Sequence, residues 1–177
     1  MKRILSLCAM AALCLSLLSA CGGGGAGGGG TPAEDKKVDL AAFAQALPDT
    51  HEFGGFLQRV DADDPDMGEM MAQMLENYYP GLAAMDLEQL EVYMSMISFS
   101  SGEFAVAQAK DAAGAAKVKE IFQARIDAKT TDGPGNYPEE VELWQHNAAL
   151  AENGNYVMLV CCEDSEAIVS EFNALFQ

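Results

Sequence analysis

The fold of this chain is decided by residues 148–162, which read AALAENGNYVMLVCC. The pair Asn153-Gly154 stands between two strand-like runs and is the strongest local sign of a two-residue turn joining antiparallel strands. The run from Tyr156 to Val160 is apolar on both faces, as expected for a strand in the interior of a sheet. These residues predict a β-hairpin with strands at 148–152 and 155–162.

The segments around this hairpin complete the prediction of an α+β fold. The predicted elements are strands at 91–98 and 103–109, a helix from Asp111 to Ala128, a short helix opening at Tyr137-Pro138, and a helix from Asp164. Their order is ββαββα. It predicts a largely antiparallel sheet of about four strands with helices packed on it.

We expect N-terminal helices before this ββαββα order. The first covers residues 38–47 and ends at Pro48, and the second covers residues 67–79. Residues 48–66 have no clear assignment, because Gly54-Gly55 weakens any helix whereas the neighbouring apolar side chains require burial.

Two patterns in residues 61–74 raise the question of a metal site. The acidic turn at 61–66 lacks the Gly and the terminal Glu of a calcium loop. Met67, Met70, Met71 and Met74 share a helical stripe, and thioethers are ligands for Cu(I), but Met at this spacing is typical of flexible core packing. We therefore expect neither a metal nor another cofactor.

Residues 1–20 have the layout of a bacterial lipoprotein signal peptide. A positive start precedes an apolar run, and Leu18-Ser19-Ala20-Cys21 matches a lipobox. In such a signal the chain is cut between Ala20 and Cys21, and Cys21 receives the lipid. The alternative is an ordinary secreted protein with Cys21 left free, but the Gly-rich tract that follows favours a tether.

The domain organisation follows from this signal. Residues 21–37 are predicted to be a lipidated Cys followed by a disordered Gly-rich linker. The typical reach of such a linker is about 20–24 Å. Residues 38–177 predict a single globular domain. We expect it on the outer face of the cytoplasmic membrane, joined to the bilayer through acylated Cys21.

The charge and the cysteine content narrow the class of partner. The net charge is −17, and removal of Lys2 and Arg3 with the signal peptide makes it −19. Such a charge argues against nucleic acid and against an anionic lipid surface. It suits solubility or the recruitment of cations or a basic partner. Only Cys161 and Cys162 remain after processing, so no disulfide framework is expected.

The order of motifs resembles the bacterial lipoproteins grouped as domain of unknown function 4358. The matching motifs are Ser101-Gly102-Glu103-Phe104-Ala105-Val106, the helix from Val118 to Arg125, Tyr137-Pro138-Glu139, and Asn153-Gly154-Asn155-Tyr156-Val157, within residues 91–176. The resemblance implies a surface lipoprotein of a Gram-positive type of envelope. It implies no catalytic residues, because the family has no assigned activity.

Two pairs of residues are candidate site residues. A turn at Asn153-Gly154 places His146 opposite Cys161 if pairing continues, and a His beside a thiol activates it or forms half of a metal site. The alternative is that His146 belongs to the preceding helix and that the cysteines are core residues or a vicinal disulfide. Tyr137 and Trp144 form either an aromatic recognition patch or core packing.

Three classes of function remain open at this point. The leading expectation is a non-catalytic module that binds an envelope protein, a peptide or a small ligand. The second is a small envelope enzyme, a hydrolase or a thiol enzyme, with a site that the motifs do not reveal. The third is a solute-capturing lipoprotein, for which about 140 residues is small. Cys21 is the residue whose role the motifs define best.

Overall fold

Five strands in the described residues form one antiparallel sheet, in the order β1-β2-β3-β5-β4. The computed structural model describes residues 37–95, 102–131 and 137–177. The elements are α1 Leu40–Thr50, β1 Leu57–Arg59, α2 Gly68–Tyr78, β2 Leu87–Ser95, β3 Glu103–Ala109, α3 Ala112–Thr130, α4 Pro138–Asn147, β4 Ala149–Asn153, β5 Tyr156–Cys161 and α5 Ser165–Ala174.

The predicted α+β fold with an antiparallel sheet is confirmed, with five strands where about four were expected. The additional strand is β1, in the segment without a clear assignment. It pairs with β2, with Leu57 opposite Ser95 and Arg59 opposite Tyr93. Three residues are too few to show the alternation by which a strand is recognised in a sequence.

The hairpin around Gly154 is present, but its turn lies one residue further along the chain than predicted. Asn153 pairs with Tyr156 and Leu150 with Leu159, so the turn residues are Gly154 and Asn155. Gly154 has a φ of 58°, the left-handed conformation that Gly adopts without strain. The pairing implied by a turn at Asn153-Gly154 was wrong, but each strand residue stays on the same face, because this change moves each partner by two residues.

Helices cover both faces of the sheet. On the face that we call the α3 face, the helices α2, α3 and α4 contribute Leu75, Phe122 and Trp144 to a core with Ala105, Ala107, Val157 and Leu159. On the opposite face, which we call the α5 face, α1 and α5 contribute Leu40, Leu47, Ile168 and Phe172 to a core with Phe104, Val106, Met158 and Val160. Successive side chains of β3 and β5 point to opposite faces of the sheet, so each strand contributes to both cores.

Local sequence signals explain where α1 and α3 begin. Asp39 accepts a hydrogen bond from the Ala42 N–H at 3.0 Å, and Asp111 accepts one from the Gly114 N–H at 2.7 Å. Asp is one of the residues that N-cap positions favour, which explains both helix starts. Pro48 lies inside the last turn of α1 rather than ending it.

The predicted signal peptide, Ala20, Cys21 and the linker up to residue 36 lie outside the described residues. The turn at Ser100-Ser101 lies outside them as well. Of the helices that the structure describes, none has the length and apolar character needed to span a bilayer.

Candidate functional site

A buried charged cluster lies on the α3 face, where β3 begins. Glu103, the first residue of β3, accepts hydrogen bonds from Arg125 Nε at 2.7 Å and from a terminal nitrogen of Arg125 at 2.6 Å. It also accepts one from the Tyr79 hydroxyl at 2.5 Å. All three side chains are buried. A bidentate, charge-assisted contact of this kind is among the strongest in proteins.

Aromatic rings lie next to Arg125, and a second ion pair lies near one of these rings. Its guanidinium carbon lies 4.6 Å from the ring centre of Tyr78 and 5.6 Å from that of Trp144. Lys129 also lies over Trp144, at 5.8 Å, and pairs with Glu140. We call the set Tyr79, Glu103, Arg125, Lys129 and Glu140 the buried cluster.

The electrostatics of the buried cluster indicate that it stabilises the packing of helices on the sheet. Burial, together with the charge of Glu103, raises the pKa of Tyr79 well above its ordinary value. Burial disfavours the charged guanidinium of Arg125, but the Glu103 carboxylate outweighs this and raises the pKa of Arg125. The phenol therefore stays protonated and the guanidinium stays charged, which holds the end of α2 and the middle of α3 against β3.

Cys161 lies beside this cluster and not beside His146. In the sheet it pairs with Glu103, and it is a fully buried free thiol. Burial, with the nearby charge of Glu103, raises the pKa of the Cys161 thiol. This environment opposes the thiolate that a nucleophile or a metal ligand requires. Cys162 is also a free thiol, in the core of the α5 face, so the alternative of a vicinal disulfide was wrong.

The other three candidate residues lie on or next to α4. Trp144 is buried with Arg125 and Lys129 both close to its ring. Tyr137 stands at the N-cap of α4 with 43% of its surface exposed. His146 lies in the last turn of α4 and is exposed. The predicted pairing of His146 with Cys161 was therefore wrong, because the helix continues to Asn147 before β4 begins.

His146 lines a different feature, a groove at the end of the sheet. Three shallow hollows adjoin there, because neighbouring hollows share lining residues. Their volumes and linings are about 340 Å³ for residues 48–55, about 160 Å³ for residues 52–54 with Leu143, Cys162 and Glu163, and about 430 Å³ for residues 146–149 and 163–167. We call this surface the acidic groove.

Close backbone packing fixes the middle of the acidic groove. The Gly102 N–H donates to the Phe53 carbonyl at 2.9 Å. A Cβ at Gly102 would lie 2.5 Å from the Cys161 carbonyl oxygen, so only Gly allows this approach. The segment that carries Glu52 and Phe53 is thereby attached to the ends of β3 and β5.

The acidic groove carries five carboxylates and no Lys or Arg. The carboxylates are those of Asp49, Glu52, Glu163, Asp164 and Glu166, and all five side chains are exposed. Elsewhere in the described residues, Arg59, Lys110, Lys119, Arg125 and Lys129 each pair with a carboxylate. In the described part of the chain, the five groove carboxylates have no such basic partner.

His51 connects the acidic groove to α5. Its Nε2 lies 3.2 Å from Glu171 Oε1, and its Nδ1 lies 3.8 Å from Asp164 Oδ2. The side chain is only 9% exposed, and within the described part of the chain its Nδ1 is buried without a hydrogen-bond partner. The described part of the chain contains no group of three or more His, Cys, Asp or Glu side chains placed to bind a metal.

Sequence reasoning missed both of these sites, although signals for each were present. Glu103, Ala105 and Ala107 are alternate residues of one strand and therefore share a face. Because the alanines lie in the core, Glu103 is a charged residue on a core face. The helical spacing of Arg125 from Val118 and Phe122 puts it on the inner side of α3. No Lys or Arg occurs at residues 38–58 or after residue 129, and α1, α4 and α5 come from these segments.

The fold and the two sites define an α+β domain whose antiparallel sheet carries helices on both faces and a groove at one end. The chain belongs to the family described as Domain of unknown function (DUF4358), whose sequence model matches residues 60–162. This confirms the resemblance noted from the motifs, although the match begins earlier and ends at Cys162. Comparisons with the curated proteins and with the solved structures gave no match.

Proposed function

We propose that this protein is a lipid-anchored binding module outside the cytoplasmic membrane, and that the acidic groove is its binding surface. In this proposal residues 1–20 are removed, Cys21 carries the lipid, residues 21–37 are a flexible linker and residues 38–177 are the domain. The domain stays within about 20–24 Å of the bilayer. Its net charge of −19 keeps it from lying on anionic lipid.

The observation that carries this proposal is the separation of paired and unpaired charge. The buried cluster uses its charged groups to hold helices on the sheet, and each of them already has a partner. The acidic groove has exposed carboxylates beside the apolar side chains of Phe53 and Leu143. A concave surface with polar groups around an apolar centre is suited to binding.

The anchor is tested by metabolic labelling with a palmitate analogue in a bacterial host, followed by membrane fractionation. We expect the wild-type chain to be labelled and to sediment with membranes, and the Cys21→Ser chain to be unlabelled and soluble. Equal labelling of both chains would contradict a role for Cys21.

The binding role is tested by crosslinking in intact cells, with the wild-type chain and the Cys21→Ser chain expressed at equal levels. We expect specific proteins or ligands to be captured by the anchored chain and lost with Cys21→Ser. Loss of the same captured species in Glu52→Gln/Glu163→Gln would place the contact in the acidic groove. An identical capture profile for the three chains would contradict an anchored binding role.

A further inference from the structure

The two edges of the sheet differ in how well they are protected against pairing with another strand. β1 forms one edge with three residues, and its Arg59 side chain makes ion pairs with Asp61 and Glu91. β4 forms the other edge with five residues, and Glu152 is the single charged residue among them. Short length, proline and several charged side chains are the usual means by which an edge strand is kept from pairing. The β4 edge is therefore the less protected of the two.

The hydrogen bonds of β5 show which backbone groups of β4 face outward. The Asn155 carbonyl accepts a hydrogen bond of 2.9 Å from the last residue of β3. Successive residues of a strand direct their backbone groups to opposite sides, so the next residue, Tyr156, faces β4. Tyr156 pairs with Asn153, so Asn153 and every second residue before it face β5. The N–H and C=O groups of Leu150 and Glu152 therefore point away from β5, and among the described residues no backbone group bonds to them.

The surface beside the β4 edge is partly apolar and locally neutral. Leu150 is half-buried against the core of the α3 face, and Ala149 and Val169 are half-buried against the core of the α5 face. Glu152 lies 2.7 Å from the Lys119 ammonium, so its charge is compensated within the chain. Self-association of a chain with a net charge of −17 requires a contact surface without excess negative charge. The β4 edge provides such a surface.

We propose that two copies of the chain pair through their β4 strands, antiparallel, about a two-fold axis at Ala151. Leu150 of each copy then lies opposite Glu152 of the other copy and exchanges backbone hydrogen bonds with it. Ala151 lies opposite Ala151 of the second copy, with the two Cα atoms about 4.5 Å apart. This inference goes beyond the proposed function, because no carboxylate of the acidic groove lies on β4.

The chemistry of the edge favours a second copy over an unrelated strand. In this register each outward N–H meets an outward carbonyl, and no like charges lie directly opposite each other. A basic strand, which the net charge of the chain would attract, finds no uncompensated carboxylate on β4, because Glu152 already pairs with Lys119. A contact through one pair of strands is small, so we expect a reversible dimer.

The test traps this dimer with a disulfide bond at its axis. Ala151→Cys would place two thiols on Cα atoms about 4.5 Å apart, which a disulfide bond can span. Gln58→Cys on β1 is the matched control at the opposite edge. The native Cys161 and Cys162 are buried. Both full-length variants are oxidised with copper phenanthroline in detergent, with micelles in excess over the chain, and are compared on non-reducing gels. We expect the linked dimer for Ala151→Cys to exceed that for Gln58→Cys about tenfold.

A second pair of variants tests the outward backbone groups in the Ala151→Cys chain. Glu152→Pro removes an outward N–H but no N–H that faces β5, a position where an edge strand tolerates proline. Glu152→Ala removes the same side chain and keeps the N–H. We expect Glu152→Pro to lower the linked fraction about tenfold and Glu152→Ala to change it less than about twofold. Added salt should raise the linked fraction, because it screens the repulsion between two acidic copies. Fluorescence of Trp144, the only tryptophan, verifies that each variant folds.

Three results would overturn the inference. Equal linking of Ala151→Cys and Gln58→Cys would show random collision. Equal losses for Glu152→Pro and Glu152→Ala would show that the outward backbone groups make no contact. Linking of Ala151→Cys to a different protein in intact cells, without the dimer, would show that a foreign strand occupies the edge. Adding Glu52→Gln/Glu163→Gln to Ala151→Cys should leave the linked fraction unchanged within about twofold, so this inference and the proposed function can fail separately.

Discussion

The buried cluster and the acidic groove both contain carboxylates, but in opposite situations. Glu103 and Glu140 are buried, and each pairs with a base on α3. Asp49, Glu52 and Glu163 are exposed and, among the described residues, pair with no Lys or Arg. This acidic chain therefore has one set of carboxylates that stabilises its fold and another set that is available to a ligand.

The two regions also differ in their relation to the family. Every residue of the buried cluster lies within residues 60–162, the span that the family model matches. The five groove carboxylates lie before or after that span. The buried cluster thus belongs to the matched part of the chain, and the groove carboxylates belong to its flanks.

The largest effect is expected for Arg125→Met in the buried cluster. The substitution leaves Glu103 as a buried carboxylate without its ion-pair partner, so we expect the free energy of unfolding to fall by about 3–5 kcal/mol. Urea unfolding followed by Trp144 fluorescence measures the change. A loss below about 1 kcal/mol would show that the ion pair of the buried cluster does not stabilise the fold.

Two further variants separate this effect from the loss of side-chain volume. Arg125→Met/Glu103→Gln removes both charges but keeps an acceptor for Tyr79, so about 2 kcal/mol of the lost stability should return. Lys119→Met removes an exposed pair with Glu152, with an N–O distance of 2.7 Å, and should cost no more than about 1 kcal/mol.

Tyr79→Phe tests the contribution of one hydrogen bond within the buried cluster. It removes the hydroxyl that donates to Glu103 at 2.5 Å and leaves the ring in place. A hydrogen bond to a charged group contributes about 1.5–3 kcal/mol, and urea unfolding should show a loss of this size. Tyr78→Phe is the matched control, because Tyr78 is 42% exposed. Equal losses for the two variants would rule out a special role for the Tyr79 hydroxyl.

The third prediction concerns alkaline pH. Burial and Glu103 raise the pKa of Cys161 above its ordinary value of 9.0, so above about pH 9 the unfolded chain releases this proton and the folded chain retains it. The unfolded state then binds fewer protons, and stability falls as the pH rises. Urea unfolding at pH 8 and pH 10 should show a fall in the free energy of unfolding that is about 1 kcal/mol smaller in Cys161→Ala than in the wild-type chain. Identical pH dependence in both chains would contradict the raised pKa.

Much of the fold follows from local patterns in the sequence. The hairpin around Gly154, the faces of β3 and β5 and the caps Asp39 and Asp111 are all encoded in short segments. The register was misplaced, because Asn-Gly and Gly-Asn are both acceptable turn pairs and the sequence reads Asn153-Gly154-Asn155. Partner choice was therefore decided by packing.

The candidate site was much less predictable. Its residues come from four separate segments, and their approach depends on the contact between Gly102 and Phe53. No local pattern encodes such a contact. The resulting prediction of His146 beside Cys161 used a strand pairing that α4 prevents, because its last turn extends to Asn147.

The smallest expected effect lies in the acidic groove and has the opposite sign. Asp49→Asn removes a carboxylate from the last turn of α1, where the helix dipole opposes it, so the free energy of unfolding should rise by about 0.3–1 kcal/mol. The same variant should capture less of its partner in intact-cell crosslinking than the wild-type chain, because one groove charge is lost. Urea unfolding and crosslinking test the two expectations. A residue that lowers stability while it improves binding is characteristic of a functional site, whereas a destabilised Asp49→Asn with unchanged binding would assign Asp49 to the fold and remove the distinction between the two regions at this position.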